Sequence, residues 1–271
     1  MSSTLYNKVT YTVPLKYIIR STITEYDIAK ANINILLSKG MITKKQYTYY
    51  DNFPKKQREI LIGLLQRDDK RYVEAIKSGI IEAKEHFFKA NQLEDHHIVS
   101  IKNDAVFVMN KQISQTKFGL ITFKQKHSYS AFYKLGTVEL YYTGNQSNIL
   151  DIKNISLDKV LLHKPYMIAI LKSLFNTLET DGVLAAINML LNIYDSYRNL
   201  EFDLGFYREF NPESRFLLKA IPNIERVYKA DFLDLRNIKY VDTSYNEWIL
   251  RELYKILIEI YDQTSRYPCR M

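Results

Sequence analysis

Hydrophobic and polar positions alternate through the first part of the chain. "LYNKVTYTV" and "TITEYDI", within residues 4–28, have the period-two pattern and the Thr, Tyr, Val and Ile content of β-strands. The period changes in "AKANINILLSKG", where Ile33, Leu36 and Leu37 recur at helical spacing and Gly40 closes the segment as a C-cap. Asp27 thus ends a strand just before a helix. Residues 43–54, which include Tyr47, Tyr49, Tyr50 and Pro54, read as a connector. Residues 55–93 read as two helices. The first is "KKQREILIGLLQR"; the second carries Val73, Ile76, Ile80, Ala83 and Phe87 on one stripe, with Asp68 or Asp69 as its N-cap. Gly79 weakens this second helix by its low propensity.

Strand patterning returns in "HHIVSIKNDAVFVMN". "HIVSI" and "AVFVM" flank "KND", which reads as a tight turn and places Asp104 at the tip of a hairpin. "GLITFKQKHSYSAFYKL" and "TVELYYTG" add further strands, with a turn at Gly136. Beyond about residue 150 the pattern is helical, in "KPYMIAILKSLFNTLE", "GVLAAINMLLNIYDSYRNL" and the strongly amphipathic "YNEWILRELYKILIEIYDQ". Residues 200–245 are mixed, broken by Pro212 and Pro222. The expected fold class is α+β: an antiparallel sheet packed with helices, then a mostly helical C-terminal region. The expected domains are 1–150 and 151–271.

Composition narrows the class. The chain has 271 residues, 46% hydrophobic and 25% charged, which suits one large globular domain or two small ones. The single Cys269 excludes an intramolecular disulfide framework and a cysteine-rich zinc site, and it fits a reducing, cytoplasmic setting. The apolar runs are too short and interrupted to span a membrane, and "MSSTLYNKVTYTV" lacks the basic-then-apolar layout of a signal peptide. The net charge of +8 is unevenly spread. Residues 1–150 hold 22 Lys and Arg against 13 Asp and Glu, a net of +9, whereas the remainder hold 16 against 17. A basic half points to a polyanionic partner, nucleic acid rather than membrane; the plain alternative is a solvated lysine-rich surface.

Some chemistries have no support. There is no Gly-x-Ser-x-Gly elbow and no P-loop. His86 lacks a Glu-x-x-His partner, and His96 and His97, adjacent in sequence beside a strand, would point to opposite faces; all three read as structural. Two carboxylates stand out instead. Asp27 ends a strand and Asp104 lies in a hairpin turn, and if the two strands are sheet neighbours both carboxylates reach one end of the sheet. Paired carboxylates bind divalent metal, usually Mg²⁺ in phosphate chemistry, where two such ions can activate a 3′-hydroxyl and stabilise leaving pyrophosphate. The alternative for each is cap or turn chemistry without metal.

The segments around these residues resemble the palm of family B DNA polymerases. "EYDIAKANINIL" is similar to the first palm motif, a strand ending in a metal-binding aspartate followed by a helix. "IVSIKNDAVFV" is similar to the third, a hairpin with the core tyrosine-x-Asp-Thr-Asp-Ser. "GIIEAKEHFFKANQL" sits where that family has a palm helix, and "FGLITFKQKHSYSAFY" is similar to the next palm strands. The resemblance covers roughly residues 20–145 and implies a palm-like sheet with a thumb-like helical region. It implies that Asp27, the Ile28 carbonyl and Asp104 hold Mg²⁺ or Mn²⁺. It also implies that Lys126 and Tyr129, with Lys124, approach a primer-template. Lys102 replaces the first aspartate of the third motif, and Asn32 aligns with the tyrosine that excludes ribonucleotides, which leaves RNA synthesis open. The Lys-x-x-x-Asn-Ser-x-Tyr-Gly fingers motif is not present.

Fingers of this type use cations for the incoming triphosphate. Lys55, Lys56, Arg58, Lys70, Arg71 and Lys77 are the candidates, with solvated helix faces as the alternative. Tyr47, Tyr49, Tyr50, Tyr129 and Tyr133 are candidates for base stacking. The resulting expectation is template-directed synthesis from nucleoside triphosphates by two-metal phosphoryl transfer. The alternatives are a non-catalytic DNA- or RNA-binding protein, with Lys102 as a phosphate contact, and a subunit of a larger replication or transcription complex. The terminal helix around Trp248, Leu250, Leu253, Leu257 and Ile260 could dock on such protein subunits or pack internally.

Overall fold

A computed structural model describes residues 3–144, 149–154, 164–199, 201, 208–209, 239–240 and 244–266. The chain forms two compact units, Met1–Pro14 with Arg20–Tyr129, and Leu15–Ile19 with Ser130–Met271.

The first unit contains β1 (Thr10–Thr12), β3 (Ile23–Ile28), β4 (Ile98–Lys102), β5 (Ala105–Met109), β6 (Lys117–Phe118) and β7 (Ile121–Tyr129). They form one antiparallel sheet in the order β1-β4-β5-β3-β7-β6. Four helices accompany it: α1 (Ala31–Ser38), α2 (Lys44–Asp51), α3 (Lys55–Asp68) and α4 (Lys70–Ala90). Alternation along β3 sends Tyr26 and Ile28 into the helix-covered core and Glu25 and Asp27 to the opposite face. The core is aromatic at its centre: Phe87 of α4 stacks on Phe123 of β7 at 4.2 Å and meets Tyr26 at 5.5 Å. Asp69 caps α4 by accepting from the Arg71 backbone N–H, and Gly40, at φ +67°, follows the end of α1 in the left-handed conformation that glycine adopts freely.

Three local expectations change. Residues 44–51 are a helix, not a connector. Thr43 accepts from the Gln46 backbone while the Gln46 side chain accepts from the Thr43 N–H, a capping box that outweighs the β-propensity of the three tyrosines. Thr43→Ala is expected to cost about 1 kcal/mol, read as a lower urea midpoint at unchanged slope. The first predicted strand shrinks to Thr10–Thr12, because Leu5–Asn7 close a 3-10 turn. His96 and His97 lie in another 3-10 turn, Asp95–His97, where the His97 ring caps the turn by accepting from the Glu94 N–H.

The second unit holds β2 (Tyr17–Ile18), β8 (Ala131–Leu135), β9 (Val138–Tyr142) and β10 (Leu150–Lys153), ordered β10-β9-β8-β2 and antiparallel throughout. Its helices are α5 (Lys164–Thr180), α6 (Val183–Arg198) and α7 (Ser244–Arg266). Arg208–Glu209 and Lys239–Tyr240 form the short paired strands β11 and β12. Tyr133 stacks face to face on Phe175, at 4.3 Å. Ile249, Leu250, Leu253, Ile256, Leu257 and Ile260 bury the apolar stripe of α7 in this unit's own core. Pro212 and Pro222 lie outside the described residues.

The fold is therefore α+β, with antiparallel sheets packed among helices and a mostly helical C-terminal region. The expected boundary at residue 150 falls inside the second unit. β8 and β9 pair with β10 and bury Tyr133, Leu135 and Leu140 beside Leu171 and Phe175, so the units divide at Tyr129 and Ser130. Among the described residues no helix is long and apolar enough to cross a membrane.

Candidate active site

β3 lies between β5 and β7, so the hairpin tip of β4 and β5 arrives beside the end of β3. Asp27 pairs in register with Ala105 on one side and Lys124 on the other. Asp104 occupies the turn, next to Asn103 in a left-handed conformation at φ +54°. Its carbonyl accepts the Ile28 N–H at 3.2 Å, tying the turn to the strand end. The Asp27 and Asp104 side chains face one cavity, near enough for the two carboxyls to interact electrostatically. Burial pushes the Asp104 carboxyl above the ordinary carboxylate range, and the neighbouring Asp27 charge adds to the shift.

A cavity of about 500 Å³ opens over this pair, lined among others by Glu25, Asp27, Ile28, Asn32, Arg58, Asp104 and Lys126. Of the cations named from sequence for the triphosphate, Arg58 and Lys55 reach its wall. Lys56, Lys70 and Lys77 are exposed on α3 and α4 and do not line it. Arg71 is held by Asp69 instead. Lys30, which sequence reasoning missed, lies on the wall at the start of α1, with φ +49°. Its ammonium is 2.5 Å from Asp51, and Arg58 is 3.8 Å from the same oxygen. The first turn of α1, Ala31 to Ile33, also lines the cavity, so helix N–H groups share that wall with three cations. Acids and cations both line it: Glu25, Asp27 and Asp104 with Lys126 from the sheet and hairpin, and Lys30, Lys55 and Arg58 with Glu59 from the helices.

The remaining sequence candidates are distributed as follows. Lys126 sits at the carboxylates, its ammonium 2.5 Å from Asp27. Lys124 is exposed beside Asp27 on β7. Lys102 is half-buried and donates to Thr12 Oγ1 at 3.2 Å. Tyr129 is 2% exposed. Its hydroxyl donates to Glu25 at 3.0 Å, so its ring supports the site from inside and is closed to a stacking base. Tyr133 and Tyr50 are likewise buried, whereas Tyr49 is exposed. Among the described residues no group of three or more His, Cys, Asp and Glu is placed to hold a metal. The candidate donors are Asp27 and Asp104 with Ile28 alongside; Glu25 also lines the cavity and accepts from Tyr129. That set suits Mg²⁺, which commonly takes one or two carboxylates and completes its shell with water and substrate phosphates.

A second residue beyond the reach of sequence reasoning is Lys84 on α4. It is 1% exposed, and its ammonium donates to the Lys8 carbonyl at 2.5 Å. Burial lowers its pKa to about 8, with the Asp104 charge acting in the opposite direction. The folded protein releases this proton near pH 8 and the unfolded chain near 10.4. Stability is therefore expected to rise between those values through this group. In chemical denaturation at pH 7.5 and 9.5, Lys84→Met is expected to lose that increment relative to wild type.

A family model described as "Bacteriophage PBS1 gene 130 protein" matches residues 1–259. No curated protein matches the chain.

Proposed function

Since the chain belongs to the Bacteriophage PBS1 gene 130 protein family, we propose that this phage-type protein is a nucleotidyltransferase extending nucleic acid from nucleoside triphosphates. The observation that carries the reading is the convergence of Asp27 and Asp104, from distant segments, on a cavity that Lys30, Lys55 and Arg58 also line. A nucleoside triphosphate is polyanionic at one end and needs a metal-assisted attack at its α-phosphate, and a cavity holding both paired carboxylates and cations meets both requirements. The palm-like order of strand, helices and hairpin supports the same reading.

Asp27 and Asp104 would hold Mg²⁺ or Mn²⁺, with the Ile28 carbonyl alongside. When bound, that cation supplies Lewis-acid activation of a 3′-hydroxyl and charge stabilisation at the phosphate. The chain's own groups do the rest. Lys30, Lys55, Arg58 and the first N–H groups of α1 bind and orient the phosphates. Asn32, in the same first turn, adjoins the nucleotide. Lys124 and the basic first half attract the nucleic-acid backbone, with affinity that falls steeply in salt. We place this activity in the host cytoplasm, with further protein subunits as partners.

The test is incorporation on a primed template by purified protein with Mg²⁺ or Mn²⁺ and, separately, deoxy- and ribonucleotides. Wild type is expected to incorporate and Asp104→Ala to be silent. Absence of incorporation by wild type, or equal incorporation by the variant, overturns the catalytic reading. Salt-sensitive binding that Asp27→Ala leaves unchanged then selects a non-catalytic binding protein.

A further inference from the structure

One cationic side chain is seated on the carboxylate pair. Asp27 faces Lys124 across the β3–β7 ladder, and regular pairing would continue in step along both strands. It does not. Tyr26 pairs with Gln125, but Thr24 pairs with Ser128, so Lys126 and His127 together oppose Glu25 alone. This β-bulge puts one extra residue into β7, bends it and re-aims its side chains. At the bulge the Lys126 ammonium closes to 2.5 Å on Asp27 Oδ2, although its side chain remains 43% exposed. Burial is the largest influence and opposes the charge on Lys126, but the bond to Asp27 and the charges of Asp27, Glu25 and Asp104 together outweigh it.

A centre using two divalent cations needs enough anionic ligands to hold four positive charges. Here the carboxylates are Asp27 and Asp104. Glu25, which also lines the cavity, accepts from Tyr129, and no three-residue metal set occurs among the described residues. Two carboxylates balance one divalent ion, and a second ion would meet the ammonium already bound to Asp27. Like charges at such separations repel strongly in a partly desolvated cavity.

We propose that Lys126 is a built-in second cation, so that the Asp27–Asp104 site takes one divalent ion where a two-metal centre would take two. This inference rests on the nucleotidyltransferase reading for its substrate, but its test counts ions and needs no turnover. The bulge holds Lys126 at Asp27, where its positive charge neutralises the phosphoryl group approaching the carboxylates, while the bound ion is shared with Asp104.

Mn²⁺ titration of the full chain, followed by the electron paramagnetic resonance of free Mn²⁺, measures the stoichiometry. Subtracting the corresponding Asp104→Asn background removes weak surface binding. Wild type is expected to bind one ion at the pair and Lys126→Arg one, whereas Lys126→Met binds two or binds the first at least about tenfold more tightly. Two ions in wild type, or identical titrations for wild type and Lys126→Met, overturn the role of Lys126 and leave the carboxylate site standing. No ion in wild type above the Asp104→Asn background overturns both. Matching thermal melts for Lys126→Met and wild type in metal-free buffer exclude loss of the fold as the cause of any change.

Discussion

Asp104→Asn is expected to leave the protein more stable and without activity. The Asp104 carboxyl is buried beside the Asp27 carboxyl, and both factors hold its pKa above the ordinary value. An acid with a raised folded pKa stabilises the fold only while protonated, and that contribution is lost as pH rises through the folded pKa. Asparagine removes a carboxyl whose charged form burial and Asp27 disfavour in the folded protein. The expected gain is about 1 kcal/mol, or roughly 3 °C in Tm. The gap between variant and wild type is expected to narrow as pH falls and Asp104 takes up its proton. Activity moves the other way. On the proposed nucleotidyltransferase reading, losing one of the two carboxylates that would hold the cation removes about 4 kcal/mol of charge stabilisation, close to a thousandfold in kcat. Added Mg²⁺ should raise the wild-type Tm and not that of Asp104→Asn. A variant less stable than wild type in metal-free buffer at pH 8 would mean that Asp104 serves the turn and not a cation.

Gly79→Ala is expected to destabilise the first unit, against its helix propensity. In an exposed helix, replacing glycine with alanine gains about 1 kcal/mol. Gly79, however, is the point where α4 meets α1. A Cβ there would lie 2.3 Å from Ile35 Cγ2 and 3.3 Å from Ile35 Cβ. Ile35 is fully buried, and its branched side chain is stiff about χ1. Overpacking of this kind costs about 1–3 kcal/mol. Urea denaturation should show a lower midpoint for Gly79→Ala. In the Ile35→Ala background, where the obstructing methyl is gone, the same substitution should cost much less, giving a coupling energy of the size found for residues in contact. A stabilised Gly79→Ala single variant would mean that the two helices can separate at little cost.

The same glycine shows where local reading stops. Its sequence neighbours say only that a helix contains a poor helix former, and the reason lies on α1, more than forty residues away. Asp51, Lys30 and Arg58 repeat the lesson. Lys30 looks like any surface lysine of a helix start, and its place on the cavity wall depends on how α1, α2 and α3 come together. Tyr129 fails in the opposite direction, since a tyrosine in a basic, polar stretch suggests an exposed ring. Burial at the sheet, with Glu25 as hydroxyl partner, decides otherwise. The α2 helix was legible in principle, because Thr43 and Gln46 spell a capping box, but the tyrosine-rich composition obscured it.

By itself the sequence determined the α+β class, the presence and approximate positions of α1, α3 and α4, the hairpin carrying Asp104 and the strand-end position of Asp27. These follow from periodicity, caps and turn residues, which act over a few positions along the chain. The tertiary structure decided that β3 lies beside β5, so that the two carboxylates meet. It also decided which cations share their cavity, that a bulge delivers Lys126 to Asp27, and that the two units divide at Tyr129 and Ser130. Those outcomes depend on strand order, register and the burial of one element against another. Interactions between residues distant in sequence set them, and no local pattern encodes which partners will meet.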